Sequence, residues 1–235
     1  MGTVGAGERG LRRKVVRVVA ALERRFGVPE LRRRGDLIGS FVLTTLSQHT
    51  SDVNAGRAFD VLKARFPRWE EVAAAPTDAI ADAIRSAGLA NQKAPRIREF
   101  VRWVKARFGE YDLSAMRKMT TEEITELFTT VKGIGIKTVS VVLLFSLGRD
   151  VFPVDTHVHR ICGRLGLVAG GGTAERTHGA MARLVPAGKA MSLHVNLLRL
   201  GRTICHARGP VCGECPLWRM CEYAAAGRAA RRRGP

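Results

Sequence analysis

Residues 127–144 have the sequence LFTTVKGIGIKTVSVVLL. The apolar residues on either side of Gly133-Ile134-Gly135 have helical spacing, so the stretch predicts two helices joined by a tight turn. Exposed amides at the start of the second helix could bind a phosphate oxygen. Gly133, Gly135 and the neighbouring Lys132 are therefore candidate DNA-binding residues of a helix-hairpin-helix element. An ordinary helix corner with a glycine cap fits this stretch equally well.

A candidate nucleophile and a candidate carboxylate follow the turn. Lys137 falls in the first turn of the second helix, and Asp155 begins another helix in FPVDTHVHR, residues 152–160. The positive end of a helix dipole disfavours an ammonium group, and a nucleophilic amine must be uncharged. A carboxylate at a helix N-cap can assist proton transfer and stabilise a cationic sugar. Taken singly, the two residues also fit simpler roles, a solvated lysine and a structural cap.

Four cysteines form a compact group near the end of the chain. The spacing is Cys-x6-Cys-x2-Cys-x5-Cys, formed by Cys205, Cys212, Cys215 and Cys221. Thiolates at this spacing can bind either zinc or a [4Fe-4S] cluster. A zinc ribbon usually has two Cys-x2-Cys arms and this sequence has one, which favours iron-sulfur. Colour separates the alternatives, because an iron-sulfur protein is brown and a zinc protein is colourless. The fifth cysteine, Cys162, lies in an apolar segment and is predicted to be a core residue.

The composition indicates a basic globular protein. The 235 residues allow one large domain or two small ones, and 39 Lys and Arg against 21 Asp and Glu give a net charge of +18. A polyanion such as nucleic acid is the natural partner, although a generally basic protein also fits. With neither an apolar run long enough to cross a bilayer nor an export signal, we expect no membrane association and a cytoplasmic, nucleoid-associated protein.

The pattern of apolar residues predicts an all-α fold. Helices are expected at residues 11–26, from 37, at 52–66, near 69, and at 77–86, 92–108, 121–129, 136–147, 155–165, 173–184 and 191–205. Thr77, Thr121 and Thr173 are the predicted N-caps of three of these helices. The segment 224–235 lacks a core-forming pattern and is predicted to be a basic disordered tail.

The three motifs VKGIGIKT, FPVDTHVHR and the four-cysteine loop, in this order, resemble the endonuclease III family of helix-hairpin-helix DNA glycosylases. The resemblance covers roughly residues 10–223. It implies a two-domain fold, with a six-helix barrel domain at 35–148 that carries the hairpin. It also implies a second domain, formed by 1–34 and 149–223, with an N-terminal helix and a [4Fe-4S] cluster.

The resemblance also implies roles for individual residues. Lys137 matches the lysine that forms a Schiff base, Asp155 matches the catalytic aspartate, and the four cysteines match the cluster ligands. Gln48 in LSQHTSDVN resembles the glutamine that fills the gap left by an extruded base, and Leu89 in SAGLANQKA resembles the intercalating leucine. A polar residue at a helix end and a core leucine are the simpler alternatives. His157, in the same motif as Asp155, is a further candidate for DNA binding.

The implied function is that of a bifunctional DNA glycosylase and abasic-site lyase of base excision repair. Its partner is double-stranded DNA with damaged bases or abasic sites, its lesion class is oxidised pyrimidines, and the expected state is a monomer. The sequence departs from the common pattern with Lys132 in place of a frequent proline and Ile136 in place of a frequent basic residue. It also resembles relatives that act on mispaired or methylated bases. A monofunctional glycosylase and a noncatalytic DNA-binding module remain alternatives.

Overall fold

The computed structural model describes residues 6–30, 35–169 and 172–232, and within these ranges every regular element is a helix. The predicted all-α class is therefore confirmed. No helix in these ranges is both long enough and apolar enough to span a membrane. The α-helices are α1 (Ala6–Phe26), α2 (Leu37–Leu46), α3 (Asp52–Arg65), α4 (Trp69–Ala74), α5 (Thr77–Ala83), α6 (Ala90–Phe108), α7 (Thr121–Thr129), α8 (Ile136–Phe145), α9 (Thr156–Arg164), α10 (Ala174–Leu184), α11 (Ala190–Thr203) and α12 (Glu222–Arg232).

The chain divides into two compact units. The first, here called the hairpin unit, is the continuous segment Arg32–Arg149; the second, the cysteine unit, combines Met1–Leu31 with Asp150–Pro235. The domain ends expected from the sequence, residues 35 and 148, lie beside these division points. Lys137 belongs to the hairpin unit, whereas Asp155 and the four cysteines belong to the cysteine unit.

Stacked aromatic rings form the centre of the hairpin unit. The rings of Phe41 in α2 and Phe128 in α7 are parallel within 5°, with centroids 4.7 Å apart, and Phe100 in α6 lies 5.1 Å from Phe41. Nearly every residue of α2 is buried, as its predominantly apolar sequence predicts. Such ring pairs add about 0.5–1.5 kcal/mol each beyond simple burial. They fix α7, and α8 packs against both α7 and α2, so the turn between α7 and α8 has a rigid base.

The cysteine unit is built around α11, which packs against α1 and α9. Val15, Val18 and Leu22 of α1 are fully buried, and so is Cys162 of α9. The expectation that Cys162 is a core residue is confirmed, and burial raises the pKa of its thiol to about 12.

Two of the three predicted N-caps were wrong. Thr173 does cap α10 by accepting a hydrogen bond from the Arg176 amide. Thr121 is instead the first residue of α7, and the cap is Thr120, whose hydroxyl accepts from the Glu123 amide while the Glu123 carboxylate accepts from the Thr120 amide. The preference of threonine for N-cap positions does not distinguish two consecutive threonines. Only Thr120 has a glutamate three residues later with which to form the reciprocal hydrogen bonds.

Thr77 is likewise the first residue of α5, which follows Pro76 without a side-chain cap. The predicted disordered tail was also wrong in its first part, because residues from Glu222 to Arg232 form α12. Alanine and arginine are strong helix formers, and the Glu222 carboxylate pairs with the Lys14 ammonium of α1 at 3.0 Å. Residues 233–235 of that tail lie outside the described residues.

Candidate active site

The turn between α7 and α8 depends on one glycine for its backbone shape. Gly133 has φ of +88°, in the region that favours glycine, and the Ile134 amide donates to the Val131 carbonyl at 3.0 Å. The Ile134 side chain is buried and anchors the turn. A Cβ at Gly133 would also lie 3.3 Å from Cδ of Arg96 in α6. The protein itself therefore requires glycine at this position.

Gly135 differs, because nothing in the described part of the chain requires a glycine there. It is the N-cap of α8 with φ of −95°, and a Cβ built on it would have no neighbour within 4 Å. Without a side-chain cap, the first amides of α8 lack an acceptor from this residue. An exposed helix N-terminus with free amides binds anions such as phosphate. The missing side chain thus leaves room for a molecule outside the chain.

This difference predicts that alanine lowers stability at Gly133 and DNA affinity at Gly135. Gly133→Ala should destabilise the protein by about 1–3 kcal/mol through its positive φ. Gly135→Ala should change the free energy of unfolding by under about 1 kcal/mol, yet weaken binding to duplex DNA severalfold by crowding the amides. Urea unfolding and fluorescence anisotropy with labelled duplex measure the two effects. Unchanged DNA affinity in Gly135→Ala would argue against a phosphate at this turn.

Lys137 is the second residue of α8 and lies on its solvent side. The side chain is exposed, whereas the three residues that follow it, Thr138, Val139 and Ser140, are buried and fix the helix. Among the described residues, the Lys137 ammonium has no hydrogen bond or ion pair. A lysine held on a rigid helix start with its amine unengaged is suited to act as a nucleophile.

Asp155 caps α9, as predicted. Its Oδ1 accepts a hydrogen bond from the Val158 amide at 2.8 Å, and the residue is half-buried. The segment before it is held by the buried His194, whose Nδ1 lies 2.9 Å from the Pro153 carbonyl oxygen. The second carboxylate oxygen has no hydrogen bond among the described residues. One oxygen therefore fixes the side chain and the other remains available for chemistry.

His157 is half-buried beside α11. Its Nδ1 lies 3.0 Å from the Arg160 guanidinium, and a Cβ on Gly201 would come within 2.7 Å of the same atom. Burial lowers the pKa of His157, Arg160 and Arg202 act in the same direction, and Asp155 partly opposes them. The structure thus places His157 against α11, where a neutral ring is favoured. A phosphate contact through this side chain remains a prediction.

The four cysteines line one cavity of the cysteine unit. The cavity is partly open to solvent, and Arg164, Trp218 and Tyr223 also line it. Within the described ranges, no three His, Cys, Asp or Glu side chains are close enough to share a single metal ion. Burial, with smaller contributions from the other three cysteines, raises the pKa of Cys215 to about 11, so four thiolates here would need a positively charged centre.

The role of Arg164 in α9 is not evident from the sequence, where an arginine on a helix indicates only a solvent-exposed face. Its guanidinium donates to Cys205 Sγ at 3.2 Å and to the carbonyl oxygens of His206 and Ala207 at 2.7 and 2.9 Å. The Cys221 thiol in turn donates to the Arg164 carbonyl at 3.2 Å. This arginine joins the first and last cysteines of the loop to α9.

Gln48 and Leu89 lie in two loops of the hairpin unit. Gln48 follows the end of α2 and is half-buried, whereas the Leu89 side chain is 48% exposed, with φ of +50° just before α6. The alternative that Leu89 is a core leucine is therefore wrong. The buried Lys93 donates to the Gln48 carbonyl at 2.7 Å, a contact that the sequence did not indicate.

Comparison with known proteins gives the family. The sequence model of the HhH-GPD superfamily of base excision DNA repair proteins matches residues 42–187, more than half of the chain. The chain belongs to this superfamily. The HhH-GPD match covers both the turn with Lys137 and the helix start with Asp155. It confirms the predicted role in base excision DNA repair.

Individual HhH-GPD relatives agree with this assignment. The chain is 32% identical over 195 residues to endonuclease III of Thermotoga maritima, covering 83% of this chain and 87% of that protein, which confirms the predicted endonuclease III family. It is 35% identical over 179 residues to an Arabidopsis thaliana protein named as a DNA glycosylase, covering 76% of this chain and 58% of the plant protein. The chain thus spans less than two thirds of that relative.

A solved structure supports the fold. The endonuclease III chain of a non-covalent complex with DNA superposes with a TM-score of 0.79 at 21% identity, covering 93% of this chain and 98% of that chain. At this level of identity the similarity concerns the fold. The predicted helix-hairpin-helix glycosylase architecture is confirmed.

Proposed function

We propose that this protein is a bifunctional DNA glycosylase and abasic-site lyase that removes oxidised pyrimidines from duplex DNA. The observation that carries the proposal is the unengaged Lys137 ammonium at the exposed start of α8, directly after the hairpin turn. A monofunctional glycosylase uses water and needs no amine at this position. The motif order shared with endonuclease III supports the same reaction.

In this reaction the Lys137 amine attacks C1′ of the damaged nucleotide, and the base leaves with the electron pair of the glycosidic bond. Loss of a proton from the nitrogen and opening of the sugar give an imine between Nζ and C1′. The imine acidifies the C2′ proton, and removal of that proton expels the 3′ phosphate. The products are a free base and a strand nicked 3′ to the lesion.

Asp155 is the proposed acid-base partner of Lys137. Its free carboxylate oxygen can take a proton from the attacking amine and stabilise positive charge on the sugar. The hydrogen bond from the Val158 amide to the other oxygen keeps the side chain in one orientation. A preoriented carboxylate stabilises developing charge without first reorganising.

DNA binding is proposed to begin at the backbone. The free amides after Gly135 and the exposed Lys132 would bind phosphates, and the net charge of +18 predicts affinity that falls steeply with salt. Gln48 and Leu89 would occupy the space left by the extruded nucleotide, which costs several kcal/mol of stacking and pairing to remove.

The four cysteines are proposed to hold a [4Fe-4S] cluster. Their arrangement around one cavity, bordered by Arg164 with its hydrogen bond to Cys205, places four thiols close together, and the single Cys-x2-Cys arm favours a cluster over zinc. When bound, the cluster would supply a fixed scaffold for the loop 205–221. A brown protein with visible absorption is expected, and a colourless protein with bound zinc would contradict this part of the proposal.

A panel of duplexes, each with one lesion, tests the proposed activity. Free base and strand scission are measured separately, for oxidised pyrimidines, mispaired thymine, methylated bases and an abasic site. We expect both products with oxidised pyrimidines, and scission of the abasic duplex. Base release without scission would identify a monofunctional glycosylase. The absence of both products would indicate a noncatalytic DNA-binding module.

A further inference from the structure

A buried ammonium group joins two loops of the hairpin unit. Lys93 in α6 is 3% exposed, and its Nζ donates to the carbonyl oxygens of Leu46 at 2.8 Å, Gln48 at 2.7 Å and Ala87 at 3.0 Å. The first two acceptors lie at the end of α2 and just beyond it, and the third ends the short 3-10 helix Arg85–Ala87. All three donors of the ammonium are thus used, and each reaches a loop backbone.

Simple packing does not explain a lysine at this position. Burial lowers the pKa of Lys93, and no carboxylate in the described residues pairs with its ammonium. A leucine or methionine could fill the same space without the loss of hydration. An ammonium adds three charge-assisted hydrogen bonds, which fix the distance between the two segments that carry the acceptors.

Both of these segments are strained. Among the described residues other than glycine, two have positive φ: His49 at +56° and Leu89 at +50°. His49 follows one acceptor of Lys93 directly, and Leu89 lies two residues after another. Such conformations are unfavourable for residues with a Cβ and persist where the surrounding contacts enforce them. Lys93 supplies contacts of this kind to both loops.

We propose that Lys93 is a positioning residue that holds the Gln48 and Leu89 loops in one fixed arrangement, ready to enter the duplex when a nucleotide is extruded. The inference rests on the proposed function, to which the roles of Gln48 and Leu89 in DNA belong. Its physical basis is preorganisation. Residues that replace an extruded base must compensate for the free energy of the lost stacking. Loops that become ordered only on binding lose conformational entropy, so they compensate for less of it.

The test compares excision of one oxidised pyrimidine from a fully paired duplex and from a duplex in which the lesion is mispaired and already unstacked. Lys93→Met keeps the length of the side chain and removes the hydrogen bonds. Its single-turnover excision rate should fall about tenfold or more on the paired duplex, and clearly less on the mispaired one. The control is Lys105→Met, an exposed lysine of the same helix, which should leave both rates unchanged.

A purely structural role would lower both rates equally, and that result, or unchanged rates, would overturn the inference. If Lys93→Met loses its helical circular dichroism, the comparison is made with Lys93→Arg, which keeps the charge but displaces the donors. Lys93→Arg is also expected to lose less excision rate on the mispaired duplex than on the paired one. Wild-type protein that excises neither substrate would overturn the proposed function and this inference with it, whereas active wild type with equal losses in the variants overturns the inference alone.

Discussion

Lys137→Ala is expected to abolish the covalent adduct that borohydride traps between this protein and DNA containing an abasic site. The amine is the only atom of the side chain that can form the imine, so scission should fall at least about 10³-fold. The fold should be unaffected, because the side chain is exposed and alanine is favourable in a helix. Gel analysis after borohydride treatment detects the adduct, and circular dichroism reports the fold.

The matched control is Lys118→Ala, which removes another exposed lysine of the hairpin unit. This variant should give the wild-type amount of adduct. DNA affinity of Lys137→Ala, measured at several salt concentrations, should stay near the wild-type value. An adduct that persists in Lys137→Ala would assign the imine to a different amine and remove the main support for the proposed lyase.

Asp155→Asn should lower base excision by about 10²-fold or more while the protein stays folded. Asparagine caps helices as well as aspartate does, so the bond from the Val158 amide is retained and α9 should keep its start. What the substitution removes is the negative charge of the carboxylate and the second oxygen as a proton acceptor. Single-turnover excision and thermal unfolding separate the two effects.

The corresponding control is Asp36→Asn. Asp36 is also an N-cap, of α2, and its Oδ1 accepts from the Gly39 amide at 2.9 Å. Its Oδ2 accepts from the Trp69 indole at 3.2 Å, so this variant should lose some stability, which thermal unfolding records. We expect nearly wild-type excision from this variant, because the cap is again preserved and no reaction is assigned to it. Wild-type excision by Asp155→Asn would mean that Asp155 is a structural cap only.

Local signals in the sequence were sufficient for most of the fold. The helical period of α6 and α7 and the glycine turn at 133–135 depend on residues close together in the chain, and the structure has them close to where the pattern predicts. Helix α1 ends at Phe26 as predicted but begins at Ala6, five residues before the expected start. The α12 helix was missed because alanine and arginine give it propensity without an apolar face. The caps of α5 and α7 were each misplaced by one residue. Thr120 and Thr121 differ only in the hydrogen bonds that they form, and α5 begins after Pro76 without a side-chain cap.

The supporting contacts of the site could not be predicted in this way. Lys93, Arg164 and His194 each bind carbonyl oxygens far away in sequence, so their partners are defined only by tertiary packing. In the sequence Lys93 and Arg164 are typical of solvated helix faces. No single-sequence pattern marks a lysine whose ammonium is buried against three carbonyls. The candidate active residues themselves were visible because they occur in short motifs with fixed spacing.

The cysteine unit is formed by two separate segments of the chain, and this has a consequence for synthesis on the ribosome. The hairpin unit is one continuous segment and can complete its core as soon as α8 has emerged. Helix α1 is translated before that unit, yet it packs against α10 and α11, which are translated after it. Its residues Val15, Val18 and Leu22 are fully buried in the folded protein. During elongation the apolar side of α1 therefore stays uncovered.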